Sequence, residues 1–340
     1  MNVIQERLAA LRSKMQEHGI NYYVVPTADF HQSEYVGEHF KARKFITGFS
    51  GSAGVAVVGL DGAWLWVDGR YFLQAGEQLQ GTTVELMKMG EPGVPTLDAF
   101  INSNLKKGEK IGFDGRVVSM DEGQLYDEIA KKHEGCIEYS VDLIDEIWTD
   151  RPPLSEKPAF DLDVKYTGKT VAEKLADIRE KMVEAEADMH VVTTLDDICW
   201  TLNIRGDDID FFPLVLSYAL MDEKSYHLYI DERKLDDNIK ARFAADGVVI
   251  HPYNDIYEDI KKIPADTKLM LDASKVNYAL FCNIPESVKK IDMMNPEMIF
   301  KNVKNPVELE NIRKAQIKDS IAHLRLMKWL KENVGKIEMT

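Results

Sequence analysis

Apolar residues recur at helical spacing from the start of the chain. Ile4, Leu8, Leu11 and Met15 form one stripe, and His18-Gly19 closes it. A short β-rich run, Tyr22-Tyr23-Val24-Val25, follows and stops at Pro26. The same order of elements then returns. Arg7–Met15 is matched by Lys174–Met182, and Val24-Val25-Pro26-Thr27 by Val191-Val192-Thr193-Thr194, both at an offset of 167 (174 against 7, 191 against 24). Trp66-Val67-Asp68-Gly69-Arg70 is echoed by Tyr229-Ile230-Asp231-Glu232-Arg233 at an offset of 163. Three matches in one order predict an internal duplication of a single α/β unit, with the two stripes as equivalent core helices.

Each copy continues with short apolar runs that read as strands. They are 54–60, 64–68 and 83–87 in the first copy, and 212–220, 226–231, 247–251 and 268–272 in the second. Helical stretches such as 71–79 and 121–133 lie between them, which predicts a layered unit with a mixed sheet. Asp150-Arg151-Pro152-Pro153 and Lys157-Pro158 interrupt regular structure, because proline lacks the backbone donor and restricts the residue before it. The boundary between copies is therefore expected within 149–169. The tail differs. Asn305-Pro306-Val307-Glu308 reads as a capped helix start, followed by Ile312, Ile317, Ile321, Leu324 and Leu330 over about 28 residues. One apolar side of such a helix wants a partner, and no third sheet is expected within the chain to supply it. The tail reads as the opening helix of a further, truncated domain.

The chain has 340 residues, enough for two cores. Its net charge of -15 argues against nucleic-acid and anionic-lipid partners. No apolar run approaches a membrane span, and the charged, broken N-terminal pattern is not that of a signal peptide. Cys136, Cys199 and Cys282 are odd in number and widely spaced, which fits a reducing cytoplasm better than a disulfide framework.

Three stretches carry candidate chemistry. Gly48–Gly54 fits neither a nucleophile elbow, a P-loop nor a dinucleotide loop, since a β-branched run follows it where a helix is required. It reads as a tight loop feeding a buried strand. His31, Glu34, Glu38 and His39 form the densest set of metal-ligating types. On a helix after an Asp29 cap, His31, Glu34 and Glu38 would share a face, although a polar surface helix explains the same residues. Arg70 follows a strand bearing Trp64 and Trp66. Its guanidinium suits a carboxylate or peptide carbonyl of a substrate, or equally a structural ion pair with Asp68 or Glu77.

The strings Asp29-Phe30-His31-Gln32-Ser33-Glu34-Tyr35, Gly48–Gly54 and Asp68-Gly69-Arg70-Tyr71-Phe72-Leu73-Gln74-Ala75 resemble aminopeptidase P, the Xaa-Pro aminopeptidase family of the creatinase/prolidase superfamily. Further similar strings are Ile147–Pro152, Leu195–Gly206, Phe212-Pro213 with Ser217-Tyr218-Ala219, Lys304–Glu310 and Ala315–Asp319. One departure is Phe30, where the family pattern has Pro or Ala. The resemblance implies an α/β fold of two tandem creatinase N-terminal-like domains over 1–155 and 165–302. Each would be a mixed sheet flanked by helices. Residues 303–340 would be the first helix of a missing pita-bread domain.

In the family that last domain holds two divalent ions, usually Mn²⁺, through two Asp, one His and two Glu, and hydrolyses the bond before proline. The resemblance thus implies a metallopeptidase whose catalytic and metal residues lie outside this chain, with no cofactor here and Arg70 as the one substrate-binding residue carried over. It also implies that these domains restrict access so that only peptide N-termini enter, substrates with proline second, a homodimer, and a cytoplasmic location. Two rivals stand beside it: a free-standing interaction module without peptidase activity, and an unrelated metal enzyme built on His31, Glu34 and His39. The first copy has Gly69 where the second has Glu232, so a glycine-dependent turn is expected to single out Arg70 over Arg233.

Overall fold

The structure, a computed structural model, describes residues 2–339. The two stripe helices form as the pattern predicts. Val3–Glu17 starts at an Asn2 capping box with Gln5 and buries Ile4, Leu8, Leu11 and Met15. Val171–Glu184 starts at a Thr170 capping box with Glu173 and buries Leu175, Ile178 and Met182 at the matching positions. Each box satisfies backbone donors that the first turn would otherwise leave free. A third likeness lies in the cations. Arg7 stacks 4.0 Å over the Phe45 ring and donates to the Phe45 carbonyl. Lys174 lies 4.2 Å over the Trp200 ring and donates to the Trp200 carbonyl.

The strands of the first half are β1 (Tyr22–Pro26), β2 (Val55–Gly59), β3 (Ala63–Val67), β4 (Val84–Lys88), β5 (Lys110–Phe113) and β6 (Cys136–Glu138). After the small strand β7 (Phe160–Asp161) come β8 (Met189–Val192), β9 (Ile204–Arg205), β10 (Ser217–Met221), β11 (Tyr226–Ile230), β12 (Val248–His251), β13 (Lys268–Leu271) and β14 (Lys289–Asp292). The first sheet runs β4-β3-β2-β1-β5-β6 and the second β12-β11-β10-β8-β13-β14, with β7 and β9 pairing separately. In each sheet the first three strands of the half pair antiparallel, and the other three join in parallel. One topology is therefore built twice, as the repeat predicts. The expected strand 212–220 begins only at Ser217, because Pro213 and a buried side-chain contact at Leu216 hold the preceding residues out of the ladder. Strands β5, β6 and β14 carry no strand signal in the sequence. They are short, and each holds a lysine, a glycine or an edge position.

The halves meet through matching elements. Helix Met120–Lys132 of the first half and helix Tyr278–Asn283 of the second each follow the central parallel strand of their sheet. Their backbones bond reciprocally. The Met120 N–H donates to Val276 O at 2.8 Å, and the Tyr278 N–H donates to Val118 O at 2.8 Å. Asp121 N–H reaches Ala273 O at 3.3 Å, and Ala279 N–H reaches Gly115 O at 2.9 Å. Every residue answers the one 158 positions further on (118 with 276, 120 with 278). The two caps, Ser119 and Asn277, form a bridge with each other. This is an isologous, two-fold-like junction of the kind that joins identical subunits.

Tight packing at this junction gives a test. A Cβ on Gly123 would lie 2.1 Å from Tyr278 Cδ2, whereas one on Gly69 would meet nothing nearer than 3.9 Å. Gly123→Ala is expected to cost about 1–3 kcal/mol by forcing the helices apart. Gly69→Ala is expected to change stability little. Urea midpoints of the two variants check this, and equal midpoints would show that the junction yields.

Candidate functional site

Beside the junction lies a cleft of about 650 Å³. One wall comes from the first half, with Tyr35, Lys41 and Arg43. The linker at Leu154 crosses its floor, and the second half supplies Asp208 and Phe211. Two of the strings that carry the family resemblance reach it, 29–35 through Tyr35 and 48–54 through Ser50, Gly51 and Ser52.

Arg43 organises the first wall. It is 3% exposed. Its Nε donates to Thr27 Oγ1 at 2.9 Å and its Nη1 to Phe49 O at 2.5 Å, while Nη2 bonds Gly51 O. The guanidinium stacks 4.6 Å over the Phe49 ring. Burial lowers its pKa to about 10. Three carbonyl and hydroxyl acceptors thus fold Gly48–Gly54 into the loop the sequence predicts, feeding β2. Gly51 is required there, since a Cβ would sit 2.2 Å from the Phe49 ring.

Asp208 organises the opposite wall. Its Oδ2 accepts from Lys234 Nζ at 2.5 Å and from the Leu216 N–H at 2.6 Å, with both charged side chains buried. Removing either partner would leave an uncompensated buried charge. The loop it anchors closes through an Ile209–Phe212 bridge. At its tip Phe211 is fully exposed and held at a φ of 63°. A bulky side chain in the left-handed region is strained, and the surrounding loop holds it there. Phe212 packs edge-on against Tyr35 at 5.9 Å, which ties the two walls together.

Arg70 stands beside the first wall. Tyr71, its neighbour, bonds Ser52 of the Gly48–Gly54 loop at 2.7 Å. Arg70 itself is exposed and forks onto Asp68, with Nε to Oδ1 and Nη2 to Oδ2 both at 2.9 Å. Its side-chain bonds hold the Asp68 carboxyl down at about 2. Asp68 also caps the short turn Gly69–Tyr71. The expected glycine turn is corrected by the geometry: Gly69 has no positive φ. Asp231 caps Glu232–Lys234 in the same way, and Arg233 forks onto Asp231 with a further bond to Glu156 at 2.7 Å. The capped turn needs no left-handed residue, so Glu232 serves as well as Gly69.

The candidate ligands of the rival metal reading do not share a helix face. Residues 29–37 form no helix. Asp29 Oδ1 accepts from the N–H groups of His31 and Ser33, folding a loop that drives His31 into the second half. There His31 Nδ1 donates to Thr193 O at 2.8 Å, and Nε2 accepts from the Tyr253 hydroxyl at 2.6 Å. His39 turns instead to the Pro152 carbonyl at 2.7 Å, and Glu34 is exposed. Among the described residues no group of three or more His, Cys, Asp or Glu converges. Arg43, Asp208, Lys234 and Phe211 escaped the sequence reading. A cation inside a short apolar helix, Ala42–Thr47, was the one local signal for Arg43. The Asp208–Lys234 pair is 26 residues apart and carried none.

Two stretches of the chain, residues 7–146 and 150–308, each match the creatinase/prolidase N-terminal domain. The chain belongs to that family and carries its domain twice. In this tandem arrangement it is similar to the aminopeptidase P proteins. It is 38% identical to a probable Xaa-Pro aminopeptidase P of Neurospora crassa, over 97% of this chain and 50% of the relative. It is 35% identical to Xaa-Pro aminopeptidase 1 of Dictyostelium discoideum, over 97% of this chain and 54% of the relative. Among solved structures it resembles an X-prolyl aminopeptidase of Caenorhabditis elegans, described as a cytosolic enzyme with a di-nuclear active site. The TM-score is 0.92 at 34% identity, over 98% of this chain and 57% of the other. The chain thus spans about half the length of the curated relatives it matches. Among the described residues no helix is long and apolar enough to cross a membrane.

The buried His31 generates a pH prediction. Burial lowers its pKa below the ordinary 6.5, and the neutral ring satisfies both of its partners. The unfolded chain therefore binds this proton more tightly, so its contribution to stability is full above pH 6.5 and is lost as pH falls below it. His190, raised by its Glu297 partner against its own burial, acts in the opposite sense and is common to both proteins. His31→Gln is expected to flatten the loss of stability between pH 7.5 and pH 5. Urea midpoints at those two pH values check it, and parallel losses in both proteins would remove His31 as the cause.

Proposed function

We propose that this chain forms the non-catalytic N-terminal half of an Xaa-Pro aminopeptidase and restricts which peptides reach the catalytic part. The observation that carries the reading is helix Pro306–Asn333. It has no buried residue and leaves Ile312, Ile317, Ile321, Leu324 and Trp329 in solvent. An amphipathic helix of 28 residues gains its stability from a covered apolar face, and the relatives continue for about as long again. On this reading the face seats a catalytic domain that holds two divalent ions, Mn²⁺ by the family resemblance. Among the described residues no group of three or more His, Cys, Asp or Glu converges, and no step of the hydrolysis is assigned to this chain. The substrates are peptides with proline second, the assembly is a homodimer, and the compartment is the cytoplasm.

Within this half the cleft is the gate. Two rigid walls, one built on Arg43 and one on the Asp208–Lys234 pair, face each other across the linker. Arg70 beside them keeps N–H groups in solvent after forking onto Asp68, and these suit a peptide carbonyl or carboxylate. In the intact protein, Arg70→Ala is expected to lower kcat/KM for an Arg-Pro-Pro peptide on the order of tenfold or more, with melting temperature and metal content unchanged. An unchanged kcat/KM would leave Arg70 as the structural partner of Asp68 alone. The 340-residue chain by itself, with Mn²⁺ added, is expected to release no arginine above a mock-purified blank. Release would overturn the non-catalytic reading.

A further inference from the structure

The duplication supplies an internal comparison at the edge of each sheet. In the first half, one face of β3 and β4 is built on tryptophans, with Met87 beside them and Glu85 accepting from the Trp64 indole N–H at 3.1 Å. Trp64 and Trp66 pack on Phe100 at 4.7 and 5.1 Å, with Phe100 on the helix that follows β4. In the second half, the equivalent face of β11 and β12 carries His227, Tyr229 and His251. The parallel register pairs His227 with Val249 and Tyr229 with His251, so all four side chains lie on one face. Asp259, from the segment that follows β12, accepts from the Tyr229 hydroxyl at 3.3 Å. The fold is satisfied at this position by a cluster without histidine, so it does not require imidazoles.

His227 Nδ1 and His251 Nε2 lie 2.9 Å apart. Both rings are partly exposed, with centroids 5.1 Å apart and planes at 40°. Tyr229 stacks on His251 at 4.9 Å and 23°, which fixes that ring. Two imidazole nitrogens bound at ordinary distances to one tetrahedral ion stand about 3.3 Å apart, so the pair has to open by about 0.4 Å and the rings tilt until both lone pairs meet at the ion. In the present arrangement one ring donates its N–H to the other. To bind an ion, that proton shifts to the far nitrogen of the same ring, leaving two lone pairs free. Asp255 and Asp259 lie close enough to act on His251, which favours a cation over an anion at this patch.

We propose that His227 and His251 form a two-imidazole chelate for a borderline divalent ion of the Zn²⁺, Ni²⁺ or Cu²⁺ type, the remaining positions being taken by water. Imidazole pairs suit these ions, whereas Mg²⁺ and Ca²⁺ prefer oxygen donors.

Titration calorimetry of the 340-residue chain with ZnCl₂ tests it, with MgCl₂ as a control. One equivalent of Zn²⁺ is expected to bind, and Mg²⁺ is not. His227→Ala and His251→Ala should each remove that equivalent, and each should keep the parent's urea midpoint in the absence of metal to within a small margin. His227→Ala/His251→Ala together should lose no more than either alone. Absence of Zn²⁺ binding, or binding that survives either substitution, would overturn the chelate. If a substitution unfolds the chain, His227→Gln and His251→Gln are read in its place, and binding retained in either one overturns the chelate equally.

Discussion

The reciprocal bonds between residues 115–121 and 273–279 are the constraint on which the arrangement of this chain depends. Each half offers a free N–H and a free carbonyl at the start of the same helix. The other half offers their complements because it is built the same way. A backbone donor at a buried helix start must find an acceptor, and here a duplicated unit finds it in its own copy. That self-complementarity sets the angle between the sheets. Side chains close round the junction: Tyr278 lies in the space that Gly123 leaves open, and Phe30, Phe40 and Met120 join the core of the second half.

Departures from the two-fold relation are where candidate function resides. The loop of residues 29–37 reaches out of the first half and places His31 between Thr193 and Tyr253. Phe30 goes with it. Its carbonyl accepts from Asn277 at 2.9 Å, and Arg116 stacks 4.6 Å over its ring. The linker then follows one side of the junction only. Arg151 bonds Asp142 at 2.6 Å and the His39 carbonyl at 2.9 Å, so the chain between the halves is fastened along its path. The cleft exists because the linker takes that side. Its walls are rigid for a reason that is costly in solvation: Arg43 and the Asp208–Lys234 pair are buried charges, and each is held by short bonds to fixed partners.

Much of this was legible from spacing. The two stripe helices, the repeat, the inner strands and the 28-residue tail helix all follow from local patterns that tertiary contacts reinforce. Strands β5, β6 and β14 were not legible, because a run of three or four residues carries too little periodicity. Nor was the site. Its charged residues pair across the chain, and a sequence window holds no trace of Lys234 meeting Asp208. His31 misled for the opposite reason. Its neighbours resemble a polar helix, yet Asp29 bonds two backbone N–H groups and makes a loop instead.

A chain that folds the same way twice also separates what the fold requires from what it merely permits. The Asp-x-Arg turn at the end of β3 and of β11 keeps its cap and its fork in both copies although glycine stands in one and glutamate in the other. The fork onto Asp is therefore part of the fold, and the Asp68–Arg70 pair alone cannot mark a binding site. What differs does carry information: Arg233 spends a further bond on Glu156 of the linker, and Arg70 makes no such contact among the described residues. The same subtraction applies at the sheet edges, where tryptophans in one copy face histidines in the other. A cluster built on tryptophans and one built on histidines both cover the sheet. Covering the sheet thus leaves the choice of residue open, and whatever fixed it in the second copy lies in the chemistry of that face.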